Sequence, residues 1–124
     1  MTNYKETGEM LRKKRKALNL SQDEVADFVG VSTNYISLIE RGSGRIPSGE
    51  VLTRMSTIYR VDELELFEAF DKLPTGLMEI VKNSDILKNT LYDIQRNSDL
   101  TEAEKAELFK GIQRLYLDLI KKRP

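Results

Sequence analysis

The chain has no histidine and no cysteine. That double absence removes the usual zinc ligands, the commonest general base and the thiol nucleophile, so any catalysis would rest on carboxylates. Glu6, Glu9, Asp23, Glu24 and Asp27 fall on helical surfaces or at helix starts, where they favour the helix dipole or solubility instead of proton transfer. No enzyme, no metal and no cofactor are therefore expected. Long apolar runs are missing too. Nothing approaches the roughly 18 residues that cross a bilayer, and no charged-then-apolar leader opens the chain, so no membrane partner and a cytoplasmic location are expected. The lack of cysteine fits a reducing compartment. There is no convincing strand pattern, internal repeat or low-complexity tract, which leaves helical periodicity as the organising signal.

Formal charge sums to zero over twenty basic and twenty acidic residues. The distribution is uneven: residues 1–60 hold ten basic against seven acidic, and residues 61–124 hold ten against thirteen. Arg12-Lys13-Lys14-Arg15-Lys16 presents cation whichever way its helix faces. Such a run is ordinarily a solvated face, yet beside a groove-reading helix it also steers a protein to phosphate. Asp62, Glu63, Glu65, Glu68 and Asp71 form the opposite case, a segment without a cation that is expected to face away from a polyanion.

Residues 21–42 are the most informative stretch. Ser21 with Glu24 makes a capping box, and Val25, Ala26 and Val29 give the following helix an apolar stripe. Gly30 suits the left-handed position after a helix, and Ser32 is placed to cap the next one, which runs to Arg41 before Gly42. The connection is three to four residues long, as a helix-turn-helix requires. At about 100° per residue, Ile36 and Ile39 of the second helix share a side and are expected in the core. Asn34, Ser37, Leu38 and Arg41 lie on the opposite arc, with Thr33 at the first turn. Asn bonds adenine in two places, Ser and Thr bond several base edges, and leucine packs on a thymine methyl. On an isolated helix these residues would be an ordinary solvated face; the turn that carries the helix gives them a reading role.

Together with Gly8, Leu11, Arg12 and Arg15, Leu20-Ser21-Gln22, Gly30-Val31-Ser32, Tyr35-Ile36-Ser37, Ile39-Glu40-Arg41-Gly42 and Pro47, these residues make positions 5–70 resemble the Cro/CI-type, or XRE-like, helix-turn-helix regulators of bacteria and phages. The resemblance implies an all-α, five-helix lambda-repressor-like DNA-binding domain whose third helix reads the major groove. It places Thr33, Asn34 and Leu38 at base-contacting positions, joined by Ser37 from the angular count. It places Gln22, Tyr35, Arg41, Ser43 and Arg45 on phosphates or the groove edge. Arg15 and Glu40 occupy positions where many members form a partly buried ion pair. Two residues depart from the pattern. Thr7 stands where an aliphatic residue is usual, which weakens the start of the first helix. Asn19 stands where glycine is usual, but asparagine tolerates the left-handed conformation.

Pro47-Ser48 is expected to open a fourth helix to about Tyr59, and Asp62 with Glu65 to cap a fifth carrying Leu64, Leu66, Phe67 and Phe70. These elements give a DNA-binding domain over 1–71, a linker over 72–76 at the Pro74 and Gly76 cluster, and a helical C-terminal dimerisation tail over 77–124. Within the tail, short helices are expected over about 77–82 and 85–95. A capping box at Thr101 and Glu104 then starts a helix to about Lys122. Its apolar residues Leu108, Phe109, Ile112, Leu115, Tyr116, Leu119 and Ile120 cover an arc of about 140°. Either the two short helices absorb this face or a second copy of the chain does. So small a segment has little core of its own, which favours the second copy.

The function expected is sequence-specific binding to double-stranded DNA as a homodimer, with recognition helices about 34 Å apart on a pseudo-palindromic operator, in a transcriptional regulator of the repressor kind located at the nucleoid. In overall plan the chain is similar to the SinR-like regulators, a resemblance that implies a further partner, an antagonist protein capturing the C-terminal helices. The alternative is an antitoxin or partner-masking protein with an autoregulatory DNA-binding domain. An antitoxin tail is often disordered until bound, whereas two caps and a continuous apolar arc describe a prefolded one.

Overall fold

The computed structural model describes residues 3–124, and among them every regular element is helical. In chain order the helices are α1 (Tyr4–Ala17), α2 (Gln22–Val29), α3 (Thr33–Glu40), α4 (Gly49–Tyr59), α5 (Glu63–Ala69), α6 (Thr75–Asn83), α7 (Asp85–Arg96) and α8 (Glu102–Lys121). None of the helices described is long and apolar enough to cross a membrane. The chain forms two compact units, one ending at Ile80 and the other running from Val81 to Pro124.

In the first unit, local chemistry sets the ends of α2 and α3. The Ser21 hydroxyl accepts from the Glu24 N–H at 3.0 Å and the Glu24 carboxylate accepts from the Ser21 N–H at 3.0 Å, a reciprocal cap. Gly30 sits at φ 86°, closed to most side chains, and its N–H donates to the Ala26 carbonyl at 2.8 Å. Ser32 then accepts from the Tyr35 N–H at 3.0 Å and starts α3. Asn19 adopts the left-handed conformation at φ 57°, making the bend that glycine would otherwise make. α4 begins two residues later than its proline suggests: Ser48 is the cap, accepting from Val51, and Pro47 precedes it, fully buried.

Apolar side chains spaced along these helices meet in one core of Leu11, Val25, Val29, Ile36, Leu52, Met55, Tyr59, Leu66 and Phe67, all essentially without exposure. Leu64, at helical spacing with Leu66 and Phe67, instead stays exposed. The segment expected as a linker, 72–76, is anchored to this unit. Lys72 Nζ donates to the Pro47 carbonyl at 2.7 Å, α6 has begun by Thr75, and the division between units falls at Ile80 and Val81.

A polar cluster locks α3 in place. Arg15 Nε donates to Glu40 Oε2 at 2.8 Å and Nη2 to Oε1 at 2.9 Å, while Nη1 donates to the Leu20 carbonyl at 3.0 Å. Tyr59 of α4 donates its hydroxyl to Glu40 Oε2 at 2.7 Å, and Gln22 at the start of α2 donates to Oε1 at 3.3 Å. Only 10% of the Arg15 side chain and 2% of the Glu40 side chain meet solvent. Burial acts to raise the Glu40 carboxyl, but the bonds from Arg15, Tyr59 and Gln22 outweigh it and hold the group below the usual carboxylate range. The bond to Glu40 raises the Arg15 guanidinium further, and burial pushes the Tyr59 hydroxyl far above an ordinary tyrosine. Gly8 lets α1 approach closely, because a Cβ there would press on the backbone carbonyls of Ile39, at 2.7 Å, and Glu40.

The second unit is different in kind. Ser84 caps α7 and accepts from Leu87 at 3.1 Å, and Thr101 with Glu104 forms a complete capping box at α8. Yet α7 and α8 contain no buried residue at all, and neither does α6, most of which belongs to the first unit.

Two outcomes follow for stability. Gly8→Ala is expected to cost about 1–3 kcal/mol by overpacking α1 on α3, read by urea denaturation. Glu40→Gln leaves the buried Arg15 charge without its counter-charge and is expected to cost roughly 3 kcal/mol, with Tyr59→Phe nearer 1 kcal/mol. Because the Glu40 carboxyl is lowered in the folded state, its contribution is complete above the unfolded carboxylate pKa and is lost as pH falls through the lower folded value. Stability of the native chain should therefore fall steeply in acid, and the Glu40→Gln variant should show a shallower fall over the same range.

Candidate nucleic-acid interface

With Ile36 and Ile39 turned into the core, the remaining arc of α3 faces solvent. Thr33, Asn34 and Arg41 are exposed, and Ser37 and Leu38 are half-buried. Successive turns carry Thr33, Ser37 and Arg41 in one strip, with Arg41 Nε donating back to the Ser37 carbonyl at 3.3 Å. This strip forms one wall of a cleft of about 950 Å³. Ser21, Gln22 and Asp23 at the start of α2 form a second wall, and Lys5, Glu9, Arg12, Arg15 and Lys16 of α1 complete it. Thr33 Oγ1 donates to Asp23 Oδ1 at 2.5 Å, tying the two walls together where each helix begins.

Asn34 and Leu38 lie one step round the helix and outside this cleft. Tyr35 and Arg45 form a separate group: the Arg45 guanidinium lies 5.1 Å from the Tyr35 ring centroid, an attraction between a cation and the ring face. Burial raises the Tyr35 hydroxyl and Arg45 partly opposes it, so the ring stays neutral beside its cation. Ser43 turns its hydroxyl to the Arg45 N–H at 3.4 Å, which shapes the loop after α3. Gln22 reaches the same cleft as Thr33 and Ser37 while one of its amide protons is engaged by Glu40.

The structure adds one cation that the sequence did not single out. Lys5 lines the cleft with Arg12 and Lys16, whereas Lys13 and Lys14 of the basic run do not. Helical spacing carries that signal, since positions 5, 9, 12 and 16 fall on one face of α1. Lys5, Arg12, Lys16 and Arg41 give the cleft four cations beyond the Arg15 already paired to Glu40, opposed by Glu9 and Asp23. Chemically the surface offers charge for a polyanion and short polar groups for edge recognition. Among the described residues no group of three or more acidic side chains is placed to hold a metal ion.

The helix-turn-helix family model HTH_3 matches residues 11–66. The HTH-type transcriptional regulator SlrR of Bacillus subtilis (strain 168) is 39% identical over 73 residues, 56% of this chain, which spans 48% of that protein's length. The ImmF control region 10 kDa protein of Bacillus phage phi105 is 36% identical over 62 residues, covering 50% of this chain and 68% of the phage protein. A solved SinR protein/SinI protein complex is similar at a TM-score of 0.44 with 23% identity, over 94% of this chain and 98% of that one. The chain thus belongs to the XRE-type helix-turn-helix family of transcriptional regulators, which are DNA-binding proteins and not enzymes.

Proposed function

We propose that this regulator is a sequence-specific repressor that binds a pseudo-palindromic operator as a homodimer. The observation that carries the reading is the outward arc of α3, whose short polar side chains are free of the core while Ile36 and Ile39 anchor the helix beneath them. Thr33, Asn34, Ser37 and Leu38 are the base-reading set in this proposal, and Gln22, Tyr35, Arg41, Ser43 and Arg45 position the protein on phosphates. Lys5, Arg12 and Lys16 join the second group because they share a cleft with the reading strip. Repression is the simpler outcome of such binding, since occupancy of a promoter excludes other proteins without any activating surface.

Two copies are supported by energetics on both sides. One helix reads too few base pairs to select a site among a genome's competitors, and a dimer adds a second set of discriminating contacts. Leu108, Phe109, Ile112, Leu115, Tyr116, Leu119 and Ile120 are each between 44% and 67% exposed. Such a continuous apolar arc gains most by meeting its own copy across a twofold axis. The same surface is where an antagonist protein with a matching helix would compete. The cytoplasm, at the nucleoid, is the location that this role requires.

Selection from a random duplex pool at stated salt is expected to enrich an inverted repeat with half-sites one helical turn apart. Asn34→Ala should then cost about 1–3 kcal/mol on the selected site and little on unrelated DNA, whereas Arg45→Ala should weaken both similarly. Equal losses on both DNAs for Asn34→Ala remove it from the reading set. Leu115→Glu should convert a sedimenting dimer to a monomer and lower operator affinity by about a hundredfold or more while leaving helicity intact. A native chain that sediments as a monomer with a protease-sensitive tail would instead favour the partner-masking reading.

A further inference from the structure

Asp23 is an anomaly in the cleft. With Glu9 it places negative charge on a surface otherwise suited to phosphate, and unlike Glu40 it is exposed and plays no part in the buried cluster. It accepts from the Thr33 hydroxyl, which donates to Asp23 Oδ1 at 2.5 Å, the short length of a charge-assisted bond. The Gly30 turn, which sets the first turns of α2 and α3 side by side, makes that bond possible.

A threonine hydroxyl has one proton and two lone pairs, and when free it rotates to serve either a donor or an acceptor. With its proton held by Asp23, Thr33 presents only lone pairs outward. In the major groove the donors that can meet those lone pairs are the N4 amino group of cytosine and the N6 amino group of adenine. Guanine O6 and N7 and thymine O4 are acceptors, and they would face both the lone pairs and the carboxylate charge.

We infer that Asp23 is a specificity-determining residue that fixes Thr33 as a hydrogen-bond acceptor, so that the first turn of α3 selects adenine or cytosine over guanine or thymine on the strand it faces. The inference rests on the reading of α3 as the groove-reading helix. The Asp23 carboxylate lowers attraction to DNA in general while sharpening the choice of base at one position.

The test compares selected sites for the full-length chain and its Thr33→Val and Asp23→Ala variants at one salt concentration, with helicity checked for each. Thr33→Val removes the hydroxyl at nearly constant volume and identifies the operator position that Thr33 reads. In the native chain that position should favour the two amino bases, adenine and cytosine, over the two keto bases along one strand of the half-site by roughly fivefold to tenfold, and both variants should reduce the preference to about twofold or less. The double variant should relax it no further, and Asp23→Ala should bind an unrelated duplex at least as well as the native chain does. The inference is overturned if Asp23→Ala keeps the preference that Thr33→Val erases, if the preference erased does not sort the amino bases (adenine and cytosine) from the keto bases (guanine and thymine) along one strand of the half-site, or if Thr33→Val erases none. Those outcomes leave the native motif in place and the proposed function standing. A native chain that enriches no motif overturns both.

Discussion

The placement of the outward face of α3 depends on where Glu40 sits. One carboxylate at the end of α3 receives Arg15 from α1, Tyr59 from α4 and Gln22 from α2, so three other helices are referenced to the last turn of the helix that faces outward. A buried charge pair of this kind contributes little net stability against a well-packed apolar replacement, because desolvation offsets most of the attraction. Its effect is positional. Bonds to a single carboxylate are satisfied in one arrangement of four helices, and no buried side-chain polar atom among the described residues is left without a partner. Gly8 completes the constraint by letting the α1 backbone come to the carbonyls at the end of α3.

The two units divide the chemistry between them. The first encloses a complete apolar core and turns its polar and cationic groups outward, as a surface that meets a hydrated polyanion requires. The second has the well-capped helices α7 and α8, neither of which contains a buried residue. Capping settles where α7 and α8 begin without supplying a reason for them to hold a tertiary arrangement, since most helical stability in proteins comes from burying an apolar face. In the proposed function, base choice and assembly are therefore separable: substitutions on α3 would act on the first, and substitutions on the exposed apolar arc of α8 on the second.

Much of the fold was legible in the residues because its signals are local. Ser21 with Glu24, Gly30, Ser32 and Gly42 set the ends of α2 and α3 through bonds that reach four residues or fewer, and period 3.6 alone sorted Ile36 and Ile39 from Thr33 and Ser37. Arg15 and Glu40 entered through family resemblance, and the structure shows their side chains bonded across 25 positions of sequence. The part that stayed hidden is nonlocal. Pro47 and Gly76 both read as punctuation, yet Pro47 is buried ahead of its helix and Lys72 is tied back to it, so that the compact units divide later than the proline and glycine cluster suggests.

By itself, then, the sequence determined the helices, the caps at Ser21, Ser32, Asp62 and Thr101, the turn between α2 and α3 and the polar character of the α3 arc, because each follows from angular spacing and short-range hydrogen bonding. Only the tertiary structure decided which cations of α1 share a cleft with that arc, that Gln22 and Tyr59 both converge on Glu40, and that Asp23 holds the Thr33 proton. Those pairings are set by the angles at which helices cross, and such angles depend on how the whole core packs at once, which no local pattern of residues records.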